Sequence, residues 1–465
     1  MSQQRAFEKA ERLPRNPTAS WMIRYGPTAV VVFAFVYFAK RMFRLISRFA
    51  VNIFFSDQWK FNEASLFQKH SLWQTFAWQH GWHREGVGGL FAALVEPLFR
   101  WNGRVEAFIV GTIIVLTAIC ALWLKRRLYG QFSIFDALIP ALFFTPAQYE
   151  SLLVTPNFAQ GAFPLLLIVL FCLAWTCRKS FRYPLILFIN FLATYTGFSL
   201  FLGVLTPLLL LMDYRATAPE VRPSKGRFSV ALVLALTTVG SFFLGYSFKL
   251  LDAVLCRTQP QSPIRSYVAY LTVMFADPFG TPGIGFLTRA AGTILVIAAL
   301  YVLFRSLWKL LVHKIGYLDA GSRERASVAA LLIALSLVLC LNAARGRTCF
   351  GLWSAQASRY VIYVLPAFLG LYFGLLEICH ALTRRVLVTV LFITVILSSL
   401  RISPALPYFP NIKQRWKACY LQLEDAKKCD QVVGFPYTRT PEGVHIEEKL
   451  RFLKQTRQNL YSDVR

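Results

Sequence analysis

Apolar segments of membrane length recur along almost the whole chain. They restrict it to folds that satisfy every backbone polar group inside a bilayer. Candidate spans lie at about 27–54, 104–124, 133–149, 160–177, 183–196, 198–213, 228–249, 284–304, 326–343, 360–379 and 386–402. The expected architecture is therefore all-α, a polytopic integral membrane protein with about 11 transmembrane helices. The fifth and sixth segments are short for a bilayer, and read as tilted, broken or re-entrant. Composition agrees: 56% of the residues are hydrophobic and only 16% charged, which is too little charge for a soluble chain of this length.

The formal net charge of +27 is placed in a pattern. Lys and Arg punctuate the apolar runs, as topology signals and headgroup contacts do. No recognition motif accompanies them, so nucleic acid is not expected as a partner. Arg5, Lys9, Arg12, Arg15 and Arg24 keep the first 26 residues in the cytoplasm. Alternating the spans then puts the remaining short basic connections on the same side: Lys125 to Arg127, Arg178 to Arg182, Arg215 to Arg227, Arg305 to Arg325, and Arg384-Arg385. The N-terminus is expected inside and the C-terminus outside. No signal-peptide cleavage pattern is visible, so the first span is expected to stay as an anchor.

That first segment is unusual. Only Pro27 to Ala39 is free of charge, and Lys40, Arg41, Arg44 and Arg48 follow. Arg41, Arg44 and Arg48 share one helix face by their spacing. Two readings stand: a span that ends early and continues as an interfacial basic helix, or one long helix whose cationic stripe faces a cavity and a lipid phosphate.

Four regions fall on the predicted outer side. Residues 55–104 form a loop far longer than an ordinary connection, opened by Asp57 and carrying Trp59, Trp73, Trp78, Trp82 and Trp101. Short helices on the membrane surface, aromatic side down, are expected there. Tyr149 to Gln160 holds Glu150, Asn157 and Gln160 without Lys or Arg. Lys249 to Pro282 and Ala343 to Arg359 contribute Asp252, Arg257, Arg265, Asp277, Arg345, Arg347 and Arg359. Five cysteines (Cys120, Cys172, Cys177, Cys340, Cys379) fall in or beside spans, where a thiol acts as small apolar filler. Cys256, Cys349, Cys419 and Cys429 fall outside, and Cys419 and Cys429 are close enough in sequence to pair. No zinc-type spacing is present; His80 and His83 are the nearest hint of a metal pair, and a divalent metal stays open.

Transfer from a phosphate-activated donor needs a carboxylate base for the attacking hydroxyl. It also needs cations for the charge growing on the leaving phosphate, and polar and aromatic groups to orient a sugar. The outer face offers Asp57, Glu85 and Glu150; Arg345, Arg347 and Arg359; and Trp59, Trp82, Asn157 and Gln160. No glycine-rich phosphate loop appears, so no nucleotide is implied.

Three segments carry a resemblance: Phe55-Ser56-Asp57-Gln58-Trp59 with His80-Gly81-Trp82-His83-Arg84-Glu85, then Thr145 to Glu150, then Ala357-Ser358-Arg359-Tyr360. With the long first outer loop, they resemble glycosyltransferases of the GT-C fold that use polyprenyl-phosphate sugars, and in particular multispan bacterial membrane proteins of that superfamily. The resemblance implies Asp57 as catalytic base, Glu150 as a second-loop acid, and Arg359 as the donor-phosphate contact, with Arg345 and Arg347 nearby. It implies sugar or acceptor contacts from Trp59, His80, His83, Arg84, Glu85, Asn157 and Gln160. Two positions depart from the family pattern. Gln58 stands where a second acid is usual, which removes a ligand from any metal or shared-proton site there. Glu85 follows Arg84, and reads either as its ion-pair partner or as a sugar ligand.

The expectation is an inverting transferase in a bacterial cytoplasmic membrane, working at the outer face. Its donor would be a polyprenyl-phosphate-linked sugar and its acceptor a lipid-linked or envelope glycan. Residues 1–26 would be a cytoplasmic segment, 27–402 the membrane domain, and 403–465 a small outer appendage, helical near Glu447 to Leu460. A transporter or flippase for a lipid-linked substrate is the alternative, and would need ionisable residues at midplane in several helices. A non-catalytic partner in envelope assembly is the third class.

Overall fold

A computed structural model describes residues 17–68, 70–177, 179–217, 219–248, 263–280, 283–312, 320–437 and 445–463. Arg5, Lys9, Arg12, Arg15, Arg178, Asp252, Cys256, Arg257 and Lys314 lie outside them.

Helices dominate, as unbroken apolar runs require in lipid. The long ones are α1 (Pro17–Phe49), α2 (Gly103–Tyr129), α3 (Phe163–Trp175), α4 (Lys179–Thr194), α5 (Leu200–Ala216) and α6 (Lys225–Phe242). They continue as α7 (Ile264–Ala276), α8 (Phe286–Val312), α9 (Ala320–Arg347), α10 (Val361–Leu376) and α11 (Ala381–Leu400). Among the described residues, seven stretches are long and apolar enough to cross a membrane: Gly103–Tyr129, Phe158–Trp175, Gly197–Ala216, Phe286–Leu311, Gly321–Phe350, Ser358–Leu376 and Ala381–Leu400. The chain is thus an all-α membrane protein by the length and composition of its helices. Ile134–Gln148 and Phe181–Thr194 are apolar but shorter. The expected fifth and sixth spans are parted at Gly197, whose φ of +52° ends one helix and starts the next.

Interactions between helix ends gather at two poles. At one, Arg182 meets Asp213 at 3.2 Å, and Arg323 lies on the same carboxylate at 3.6 Å. Glu377 takes Arg325 at 2.6 Å and Lys309 at 3.2 Å, while Lys125 holds Asp136 at 2.6 Å. Every basic connection that sequence assigned to one side and that enters an ion pair here enters it at this pole. The other pole carries residues 50–102, the segment around Glu150, the turn at Ser358-Arg359 and the C-terminal helices Tyr408–Leu423, Ala426–Val433 and Ile446–Thr456.

The structure corrects several expectations. The first helix is one continuous element reaching back to Pro17 and ending at Phe49, before the expected 54. Its Arg41 faces no cavity: it donates to the Ser399, Leu400 and Arg401 carbonyls, taking the last acceptors of α11. The third outer region is not a plain loop, because α7 runs through it with Tyr270 to Ala276 buried. Thirteen residues are too few to register as a span. Trp59 and Trp101 do not lie aromatic side down on a membrane; at 1% and 2% exposure they are core. Cys379 is exposed at the turn before α11 and fills nothing. Cys419 and Cys429 form a disulfide that joins two C-terminal helices, and Cys349 is also disulfide-bonded.

Candidate active site

Asp57 begins the short helix Gln58–Phe61. Its backbone carbonyl accepts the Lys60 and Phe61 amides, yet its side chain makes no capping bond. The carboxylate is therefore left for other work. Ser56, just before it, holds φ +48°, a conformation that costs a residue with a Cβ about 1 kcal/mol. The next residue holds that turn. Gln58 is fully buried; its Oε1 accepts the Phe55 amide, and its Nε2 donates to Glu106 Oε2 at 2.8 Å and to the Pro156 carbonyl at 3.0 Å. Gln58 thus ties the start of the outer loop to α2 and to the second outer segment, with Asp57 on the open side.

The C-terminal helices brace the same turn from behind. Asn459, fully buried, accepts the Phe54 amide and donates to the Trp101 carbonyl. The Tyr437 hydroxyl donates to Phe54 O at 2.6 Å, and Lys449 to Trp59 O at 3.2 Å. Lys413 donates to Val154 O at 2.8 Å; burial pulls this ammonium down to about 7, against the pull of Glu106.

The second and fourth outer segments are clipped to each other. The Glu150 amide donates to Ser358 Oγ at 3.1 Å, and the Arg359 amide donates to Glu150 Oε2 at 3.2 Å. Ser358 in turn donates to the Ala147 carbonyl. Glu150 Oε2 lies 3.8 Å from Arg359 Nη1, a loose pairing, and the Arg359 side chain is 51% exposed. Asp57 and Glu150 both act electrostatically on Arg359. Segments some three hundred residues apart in sequence thus bring an acid, a second acid and a guanidinium within electrostatic reach of one another.

His80 adjoins it from the hairpin Gln79–His80/His83–Arg84, where His80 pairs with His83. Burial lowers His80, although Asp57 works to raise it. Burial lowers His83 to about 4 despite its bond to the Gly197 backbone. Burial thus favours the neutral form of both rings, and His80 Nδ1 has no hydrogen-bond partner among the described residues. Asp277, at the end of α7, was not assigned to the site from sequence. Burial raises its carboxyl well above the usual range, and the Glu150 charge adds to that. Its protonated form is thus favoured beside Glu150.

Other expected contacts are committed elsewhere. Arg84 donates through Nε and Nη2 to the Phe242 carbonyl, and to those of Leu244 and Ala77, fastening the hairpin to the end of α6. It pairs with no acid. Glu85 is neither its partner nor a surface ligand: it is fully buried, both oxygens lack a hydrogen-bond partner, and burial alone pushes its carboxyl well up. Trp59 is packed edge-on against Phe54. Asn157 caps the helical turn at Phe158 by accepting the Gln160 amide. All four are buried. Gln160, His80 and His83 remain half-buried. Arg347 lies over Phe350 at the end of α9, and Arg345 is exposed beside it. Among the described residues no three His, Cys, Asp or Glu side chains converge to hold a metal ion.

Sequence reasoning missed the bracing roles of Gln58, Glu106, Lys413 and Asn459, and it left Asp277 out of the site. The only signal was the placement of polar residues next to apolar runs, which many loop residues share. No family model, curated protein or solved structure matches this chain.

Proposed function

We propose that the protein is an integral membrane glycosyltransferase that moves a sugar from a polyprenyl-phosphate donor to a lipid-linked or envelope glycan acceptor. The observation that carries the proposal is the approach of Asp57, Glu150 and Arg359 within electrostatic reach of one another, with the Asp57 side chain making no capping bond and the Arg359 side chain half exposed. In this reading Asp57 is the base that takes the acceptor hydroxyl proton. Arg359 holds the donor phosphate as negative charge grows on it. Glu150 fixes the Arg359 backbone and so aims its side chain; it acts as an anchor more than as a second base. Displacement of the phosphate from the far side by the hydroxyl inverts the sugar carbon.

The buried ion pairs favour this reading over a transporter. Asp213, Asp136 and Glu377 pair near helix ends, and Glu106 stands four residues into α2. A transporter would place such groups at midplane in several helices. The finer topology belongs to the proposal too: about 11 passages, N-terminus inside, active pole outside, in a bacterial cytoplasmic membrane. The partition of cysteines supports it. Cys349, Cys419 and Cys429 at the active pole are disulfide-bonded, while Cys177 and Cys379 near the opposite pole are free thiols. Reporter fusions at Arg465 and within 214–227 should then report opposite sides of the membrane.

A transfer assay with a polyprenyl-phosphate sugar tests the reaction. Arg359→Ala should lose about 2–4 kcal/mol of transition-state stabilisation, and Arg359→Lys should recover little of it, because a planar guanidinium suits a partly desolvated phosphate. Full activity in Arg359→Lys would reduce Arg359 to a headgroup contact.

A further inference from the structure

A groove of 440 Å³ opens at the outer pole between the end of α1 and the chain that leaves α11. Leu45, Phe49, Ile402 and Pro404 give it apolar walls, and Arg48, Ser403 and Asn411 line it with polar groups. It takes no part in the proposed transfer site. Its construction is specific. Arg41 locks α1 onto the last carbonyls of α11, so the two helices are held together at this level. Below it, both helices pack on the short helix Leu138–Phe143.

Charge and apolar surface are arranged around this groove in a fixed order. Neither α1 nor α11 contains a single Asp or Glu. Arg48 lines the groove, Lys40, Arg44 and Arg401 are exposed on α1 and just after α11, and among the described residues none of the four forms a salt bridge. Towards the opposite pole the same helices expose large apolar side chains: Phe33, Val36 and Tyr37 on α1, Val390, Ile393 and Leu397 on α11. Cations at the groove and greasy faces beneath it match an anion that carries acyl chains. A soluble anion would leave the lower faces uncovered, and a neutral lipid would leave the cations unmatched.

We propose that this groove is a binding site for an anionic glycerophospholipid of the surrounding membrane. Its phosphate would sit against Arg48, with Ser403 and Asn411 as hydrogen-bonding neighbours. Its acyl chains would lie along α1 and α11. The Ser403 hydroxyl already accepts the Ala405 amide, which leaves its proton free to donate to a phosphate oxygen. The inference does not depend on the transferase reading; it needs only that these two helices border lipid.

The test uses the full-length protein, purified from nanodiscs of equal phosphatidylglycerol and phosphatidylcholine and then delipidated stepwise. Mass spectrometry counts the lipid that stays bound. Wild type should retain phosphatidylglycerol over phosphatidylcholine. Arg48→Glu should lower the retained phosphatidylglycerol by about fivefold or more, from the worth of one cation near an anionic headgroup. Ser403→Trp, which fills the groove without changing charge, should do the same, while Arg345→Glu, exposed elsewhere at this pole, should not. Glycerol phosphate, a headgroup without chains, should fail to displace the lipid. Wild-type retention in both groove variants would overturn the proposal, as would an equal loss in Arg345→Glu. Displacement by glycerol phosphate would reduce the site to one for a free phosphate group. Preferential retention of polyprenyl phosphate would reject a glycerophospholipid as its ligand.

Discussion

The two poles of this molecule use the same kinds of charge in opposite ways. At one, Asp213 is 4% exposed and shared by two arginines, and Glu377 is gripped by Arg325 and Lys309 at 2.6 and 3.2 Å. These pairs lie at 2.6 to 3.6 Å and are mostly buried. At the other, Arg359 stands 3.8 Å from Glu150 with half of its side chain open, and Asp57 caps nothing. A guanidinium enclosed against carboxylates is out of a ligand's reach; one held loosely with half of its side chain open is not. Geometry at the ion pair, more than the presence of the residues, separates a fastening from a site.

The sharpest way to break this comparison is to cut one pair at each pole. Asp213→Ala leaves Arg182 and Arg323 buried and facing each other, and should cost about 3–5 kcal/mol of stability. Glu150→Ala breaks a rim contact and should cost about 1 kcal/mol or less, while transfer falls because Arg359 loses its aim. Thermal unfolding in detergent measures both; equal losses would erase the distinction between the poles.

Next in size are the braces behind the site. Gln58→Glu places a carboxylate against Glu106 in a buried position and removes the amide that donated to it. A loss of about 1–3 kcal/mol is expected, with a matching drop in transfer as the Ser56-Asp57 turn relaxes. Asn459→Ala strips the Phe54 amide of its acceptor and should act in the same direction. Wild-type stability in both would mean that the turn at Asp57 needs no bracing.

These braces explain what sequence could and could not supply. The apolar runs stand out in the chain because a bilayer imposes length and composition locally. Asp57, Glu150 and Arg359 stood out because each sits at the edge of such a run within a short motif. Gln58 read as a missing acid, but its role is set by Glu106 and Pro156, far away in the chain. Glu85 and Arg84 are neighbours in sequence, yet the hairpin and the helix after it send one into the core and the other to the end of α6. A tryptophan in a polar loop looks the same whether it meets a membrane or, as Trp59 does, a phenylalanine. Burial and long-range hydrogen bonds have no local signature.

A smaller effect concerns pH. His83 takes up its proton near 6.5 when unfolded but only near 4 when folded. Between these values the unfolded state binds more protons, so the contribution of His83 to stability falls as pH drops through that window. Glu96, pushed up to about 8 by burial, works in the opposite sense from 8 down to about 4.5. The histidine effect is therefore read as the difference between wild type and His83→Gln from pH 7 to 4.5. A difference that does not change with pH would place His83 in water. Smallest of all should be Arg345→Ala, exposed at the end of α9: stability within about 0.5 kcal/mol and near-normal transfer. A large effect there would move the phosphate contact away from Arg359.

The central claim is that the open pole does chemistry with Asp57 as base, and one measurement addresses it directly: single-turnover transfer from a polyprenyl-phosphate sugar by Asp57→Asn, with donor binding followed alongside. Asn keeps the size and the turn but cannot accept the proton. Transfer should fall by about a hundredfold or more while the donor still binds. Near-normal transfer in Asp57→Asn would contradict the account, because no base would then be acting at that position.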